Sequence, residues 1–223
     1  MNYFYLLINL GLLLLSFLLV LDKKAESTRS WKHMVPAVLV SGVIFSIAAL
    51  VFNQFRISFF NPKYILGVNI LQLPIEEIMF HFVLPFAGLN IYVVLNAHFP
   101  KNNLEKFSLS ISNLLLGVLI AMLFFTYSKL YCVVTFSMLF VLLFYVEYVN
   151  KLRFTYKFYR AYVVLLIPFC LLYMFVGGLP ILTYAFDKTI NLTLGPIQFE
   201  CFFYLMSVLL ISVYLFEVLK SKA

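Results

Sequence analysis

Seven stretches of the chain are almost purely apolar, at about 2–21, 34–52, 73–95, 108–127, 130–149, 159–183 and 194–219. Short polar connections separate them. A run of about 20 apolar residues is the length of helix that crosses the hydrocarbon of a bilayer. Continuous runs, without strand-like alternation, select helices over the strands of a membrane barrel. The pattern predicts an all-α polytopic membrane protein of about seven transmembrane helices. The spans account for most of the 223 residues, so a single membrane domain over 1–223 is expected. The first run, Asn2 to Leu21, carries no basic flank and no small-residue cleavage site, and reads as a first span.

Composition strengthens this picture. Hydrophobic residues make up 64% and charged residues 11% of the chain, and the mean hydropathy is +1.02. A soluble domain is nearer half apolar and a quarter charged, so the surplus must face lipid. The formal charge of +7 comes from 16 Lys and Arg against 9 Asp and Glu. These basic residues sit in short loops beside spans, where they report membrane orientation, and nucleic acid is not an expected partner. Four of them (Arg56, Lys63, Lys129 and Lys188) fall on the side of the amino terminus, and twelve on the other side. The richer side is expected to be cytoplasmic, which puts the amino terminus outside and the carboxyl terminus inside, in a bacterial inner membrane. Cys132, Cys170 and Cys201 lie in apolar runs with no CxxC spacing, so neither a disulfide framework nor a metal site is expected.

The pattern also repeats. Shifted by 124 residues, spans one to three fall on spans five to seven, Glu76 falls on Glu200, and Phe80 falls on Tyr204. Four crossings separate equivalent points, so the halves are expected to run the same way through the membrane. The expected division is a first repeat at 1–100, a linker helix within 101–129, and a second repeat at 130–223. Parallel repeats build sites at their interface.

Charged groups cost roughly 2.5–3.5 kcal/mol each inside a bilayer on insertion scales, so carboxylates at the start of apolar spans carry the most information. They are Glu76 and Glu77 in Leu73-Pro74-Ile75-Glu76-Glu77-Ile78-Met79-Phe80, and Glu200 in Gln198-Phe199-Glu200-Cys201-Phe202-Phe203-Tyr204. The plain structural role is to complement the helix dipole behind Pro74, yet that role does not demand a matching carboxylate in the other half. Glu77 shares a helix face with His81, and Glu76 shares its face with Met79 and Phe80. Desolvated, adjacent carboxyls favour a group that keeps its proton and acts as a general acid, and His81 is placed to return that proton. Phe80, Phe82, Phe202, Phe203 and Tyr204 can offer π faces to a cation, although packing is the commoner role for any one of them. There is no GxGxxG and no HExxH, and the last span holds no lysine on which a retinal Schiff base could form.

These motifs, with Asn61-Pro62-Lys63-Tyr64-Ile65-Leu66-Gly67 ahead of the first, resemble the heterodimeric-type lycopene cyclases, whose small subunits each carry a Pro-x-Glu-(Glu/Asp) motif. The chain looks like the fused tandem form. Lys157-Phe158-Tyr159-Arg160-Ala161-Tyr162, Ile167-Pro168-Phe169 and Glu200-Cys201-Phe202-Phe203-Tyr204 are similar to the family's second half. The second motif departs from the pattern: Gln198 stands at its Pro and Cys201 at its second acid. Thr193 replaces a usual Arg, Ser58 lies where a Trp is usual, and His81 stands where Phe is commoner.

The resemblance implies an intramolecular lyase or isomerase that cyclises carotenoid end groups without net redox change and without a cofactor. It implies Glu76, Glu77 and Glu200 as catalytic carboxyls that converge on one apolar cavity. Pro74, Phe80, His81, Phe203 and Tyr204 are the expected substrate-binding residues. The expected partners are lipid and an acyclic carotenoid in the bilayer, and a homo-oligomer is compatible with the sequence. The rival class is a non-enzymatic membrane protein, either a diverged carotenoid-binding homologue or a small proton-coupled transporter. The orientation is directly testable. A reporter domain fused after Ala223 is expected to be active only as a cytoplasmic reporter, and periplasmic activity there would reverse the assignment.

Overall fold

The computed structural model describes residues 3–22, 24–25, 27–100, 103–150, 152–175 and 179–222. Among them are the helices α1 (Phe4–Val20), α2 (Ser27–Gln54), α3 (Ile75–His98), α4 (Ser108–Phe125), α5 (Leu130–Phe144), α6 (Thr155–Phe175) and α7 (Phe199–Ser221). A π-helical turn, Tyr145–Val149, continues α5. Six of the helices are long and apolar enough to cross a membrane. α1, with 17 residues, spans about 25 Å at 1.5 Å per residue. The protein is an all-α polytopic membrane protein.

Two expected spans are shorter in the structure than their apolar runs. α6 ends at Phe175, whereas the run continues to 183, and α7 begins at Phe199 rather than at 194. Short strands stand among the described residues of this connection and of the one between α2 and α3. β1 (Ser58–Phe60) pairs antiparallel with β4 (Leu182–Tyr184), β2 (Asn69–Ile70) with β3 (Leu73–Pro74), and β5 (Thr193–Leu194) with β6 (Ile197–Gln198). Apolarity alone does not separate a helix end from an apolar hairpin. Backbone chirality does. Leu71 and Gln72 both have positive φ, 50° and 72°, as the twist of a two-residue hairpin demands. In the second hairpin Gly195 adopts φ 63° ahead of Pro196, a pair suited to a tight turn because glycine carries no Cβ and proline fixes its own φ.

The halves match in detail through these hairpins. The centre of the β1–β4 ladder pairs Phe59 with Thr183, which are 124 residues apart, and Ser58↔Tyr184 and Phe60↔Leu182 flank it. Each half thus offers the same strand to the other across a local twofold relation. Asn61 N–H donates to the Ile181 carbonyl and Ala185 N–H to the Ile57 carbonyl, at 2.9 and 2.8 Å, which extends the reciprocal pairing. The first helix of each half follows a different spacing. Tyr5 N–H donates to the Tyr64 carbonyl and Tyr131 N–H to the Lys188 carbonyl, both at 3.1 Å. Tyr5 therefore corresponds to Tyr131, two residues beyond the common shift.

α3 packs against α1, α2 and α6, and α7 packs against α5 and α2, with α3 and α7 in contact between the halves. α4 lies on α5. Ser112 of α4 donates to Glu147 Oε2 of the α5 extension at 3.0 Å and lies 2.6 Å from the Tyr159 hydroxyl of α6. Lipid gives helices no hydrophobic reason to associate, so close van der Waals approach must do it. Gly42 and Gly88 permit that approach. A Cβ at Gly42 would lie 2.4 Å from the Phe82 ring, and one at Gly88 would lie 2.5 Å from Leu209. The outward faces present Leu14, Ile47, Leu114, Ile120 and Phe124, all exposed and apolar, as a lipid-facing surface requires.

Candidate functional site

The carboxylates divide into two kinds by position. Glu76, in the first turn of α3, accepts a hydrogen bond from the Leu66 backbone N–H at 2.5 Å. Glu200, in the first turn of α7, accepts one from the Ile190 backbone N–H at 2.7 Å. The two bonds occupy equivalent places in the halves. Both residues are fully buried, and in each the second oxygen, Oε2, has no hydrogen-bond partner among the described residues. These glutamates latch the loop ahead of each hairpin to the helix that follows it. Asn9 of α1 adds a bond to the Glu76 carbonyl at 3.1 Å, and Cys132 of α5 donates its thiol to Glu200 Oε1 at 3.1 Å.

The next position along each helix turns inward. Glu77 accepts a short hydrogen bond at Oε2 from the Tyr5 hydroxyl of α1. Its Oε1 lies 3.8 Å from His81 Nε2, one helical turn on, and the same nitrogen is 2.9 Å from the Tyr204 hydroxyl of α7. Tyr5, Glu77, His81 and Tyr204 thus form a polar chain from one half to the other inside an apolar bundle. Tyr204 is also held by rings, with Phe45 at 5.3 Å and Phe52 at 6.2 Å between centroids.

In the second half the inward position is Cys201, so no carboxyl stands there. The Cys201 thiol is 3.6 Å from the Tyr184 hydroxyl, and Tyr131, the counterpart of Tyr5, lies 3.4 Å from that hydroxyl. Among the described residues no group of three or more His, Cys, Asp and Glu side chains is arranged to hold a metal ion.

Between α1, α3, α6 and the 179–184 segment lies an apolar cavity of about 400 Å³, within the range of small-molecule sites. Tyr5, Leu12, Phe80, Leu84, Phe169 and Cys201 are among its walls. The three glutamates are not, which differs from the expected convergence of all three on one cavity. A carboxyl in the first helical turn is drawn to the nearest backbone N–H it can reach, and loops 66 and 190 supply one to Glu76 and Glu200. Glu77 is joined to the cavity wall by its bond with Tyr5.

The expected substrate-binding residues scatter. Phe80 lines the cavity, and Pro74 is buried at the end of β3 as the N-cap of α3. His81 and Tyr204 lie on the polar chain. Phe203 faces Phe136 at 5.1 Å and lines a separate apolar groove between α4, α6 and α7. Sequence reasoning missed Tyr5. One tyrosine among 15 in an apolar run carries no signal until the helix it sits on is placed against α3.

The latches make a stability prediction. Gln keeps an acceptor oxygen for the loop N–H and Ala does not. Glu200→Ala is therefore expected to lose about 1–3 kcal/mol of stability, the cost of an orphaned buried donor, and Glu200→Gln much less. Thermal unfolding in detergent checks the order, and equal losses in the two variants would remove the latch.

Comparison with known proteins follows the same division of the chain. Searches of curated proteins and of solved structures find no match. The family model for lycopene cyclase matches twice, over residues 2–95 and 128–219, with α4 falling between the two segments. Those segments hold both hairpins, both latches, the polar chain and most of the cavity wall, and on that coverage the chain belongs to the lycopene cyclase family, in a fused tandem form whose second motif has diverged.

Proposed function

We propose that the protein is a carotenoid end-group cyclase, an intramolecular lyase or isomerase acting on lycopene or a related acyclic carotenoid. The observation that carries this reading is a single inward carboxyl, Glu77, hydrogen-bonded to a wall residue of a 400 Å³ apolar cavity. Cyclisation needs an acid in a dry, hydrocarbon-like pocket. A proton adds to the terminal double bond of the open-chain end and leaves a tertiary carbocation. The neighbouring double bond attacks this centre and closes the ring, which moves the positive charge to a ring carbon. Loss of one proton from a carbon beside that charge restores a double bond. One proton enters and one leaves, so no redox cofactor is required.

Glu77 is assigned the acid role, and the carboxylate it leaves behind is the natural acceptor for the final proton. Glu76 completes the acid/base pair as the adjacent carboxyl, with Oε2 uncommitted. Glu200 assists through the loop it holds. Phe80 and Phe169 line the wall where a carbocation would pass and supply the π systems that stabilise a cation, and His81 is placed to return a proton to Glu77. The proposed arrangement is two parallel repeats, 1–100 and 130–223, joined by a linker helix within 101–129. The amino terminus lies outside, so the hairpins and the cavity sit towards the outer leaflet.

A second reading is a carotenoid-binding homologue without turnover, favoured by Cys201 at the second acidic position. One experiment separates the two. Expressed in a lycopene-accumulating bacterium, the wild-type chain is expected to convert lycopene to a cyclised pigment. Glu77→Gln, which keeps size and hydrogen bonding but has no acid proton, is expected to fall about 10²–10⁴-fold in conversion at equal protein level. Unchanged lycopene copurifying with the wild type would support binding alone, and full activity in Glu77→Gln would refute the acid assignment.

A further inference from the structure

The group that touches the cavity is Tyr5, with Glu77 behind it. The Tyr5 ring has little freedom to swing away. It is 7% exposed, and its centroid lies 6.2 Å from that of Phe80. Its backbone N–H donates to the Tyr64 carbonyl at 3.1 Å, and its carbonyl accepts from Asn9 Nδ2 at 3.0 Å. A substrate end in the cavity therefore meets the phenol before it meets the carboxyl. The corresponding tyrosine of the second half, Tyr131, is buried more deeply, and the inward position beside it holds Cys201 rather than a carboxyl.

We propose that Tyr5 is a catalytic proton relay between Glu77 and the substrate, and that the second half keeps the matching tyrosine, Tyr131, without the carboxyl. The proposal rests on the cyclase reading above. In the acid step Glu77 is protonated, and the bond between the two runs the other way, from its O–H to the Tyr5 oxygen. The Tyr5 O–H bond breaks as its proton forms a new C–H bond at the terminal double bond. The Glu77 O–H bond breaks in the same step, and its proton restores the phenol. Glu77 is left as the carboxylate and the substrate as the carbocation. In the final step the Tyr5 oxygen takes the proton lost by the ring and passes its own to Glu77. Both groups end as they began, and no oxidant or reductant is consumed. A phenol alone is too weak an acid for the first step, which is why the unit needs the carboxyl behind it.

The test uses the full chain in membranes or detergent with lycopene as substrate. Tyr5→Phe keeps the ring and its packing but removes the transferable proton. It is expected to lower kcat by about 10²-fold or more with KM little changed. In a Glu77→Gln background the same substitution is expected to have no further effect, because the two residues act as one unit. Tyr131→Phe removes the matching hydroxyl from the second half and is expected to leave the rate within about twofold. A second measurement needs no variant. The rate of the wild type in mixtures of light and heavy water should fall with the curvature of two protons in flight. A linear dependence, or a Tyr5→Phe enzyme of wild-type kcat alongside an inactive Glu77→Gln, would overturn the relay while leaving the cyclase reading intact. Wild-type activity in Glu77→Gln would refute the acid assignment and with it the relay, whereas a wild type that forms no cyclised product would overturn the cyclase reading itself.

Discussion

A carboxyl group carried into a bilayer must find a partner there, because water is absent and an uncompensated charge is costly. The structure of this protein follows from where the three carboxyls at the starts of α3 and α7 find theirs. The two at the first motif position, Glu76 and Glu200, go to backbone amides of the loops at 66 and 190. They act on architecture, fixing each hairpin against the helix it introduces and so setting where α3 and α7 begin. The carboxyl at the second position, Glu77, points to the contact between the halves and takes a phenol as its partner. Adjacent residues on a helix differ in direction by about 100°, so one dipeptide turns one carboxyl to a loop amide and the other to a phenol without conflict.

The two halves are alike in frame and unlike in chemistry. The reciprocal β1–β4 ladder and the matched amide latches are kept on both sides. The inward position is kept only in the first half. Where Glu77 stands in one half, Cys201 stands in the other, 3.6 Å from the Tyr184 hydroxyl, which lies 3.4 Å from that of Tyr131. The open cavity borrows walls from both halves, with Tyr5, Phe80 and Leu84 from the first and Phe169, Tyr184 and Cys201 from the second. Loss of one acid is therefore compatible with a working site, because the second half still contributes shape.

Much of this was legible in the sequence, and the rest was hidden for definite reasons. Apolar runs of bilayer length placed all seven helices, and the 124-residue shift matched Glu76 to Glu200 before any coordinates. The ends of the sixth connection differ from the expectation because 182–184 and the 193–198 hairpin continue the apolar runs on either side. The pairing of 182–184 with 58–60 and the positive φ at Gly195 make them strands instead. The i, i+4 spacing gave Glu77 and His81 a common face, and they lie 3.8 Å apart. The spacing could not say which glutamate of the pair turns inward, since that depends on the reach of the Leu66 amide. Tyr5 was invisible for the same reason: it is 72 residues from its partner, and nothing local marks it.

The central claim is that ring closure begins with a proton delivered by the protein and exchangeable with solvent. The most direct measurement is mass analysis of the pigment formed when the purified chain acts on lycopene in heavy water. The account predicts one deuterium retained for each ring closed, on the carbon that receives the acid's proton, and none in the unreacted substrate. A cyclised product free of deuterium would contradict it.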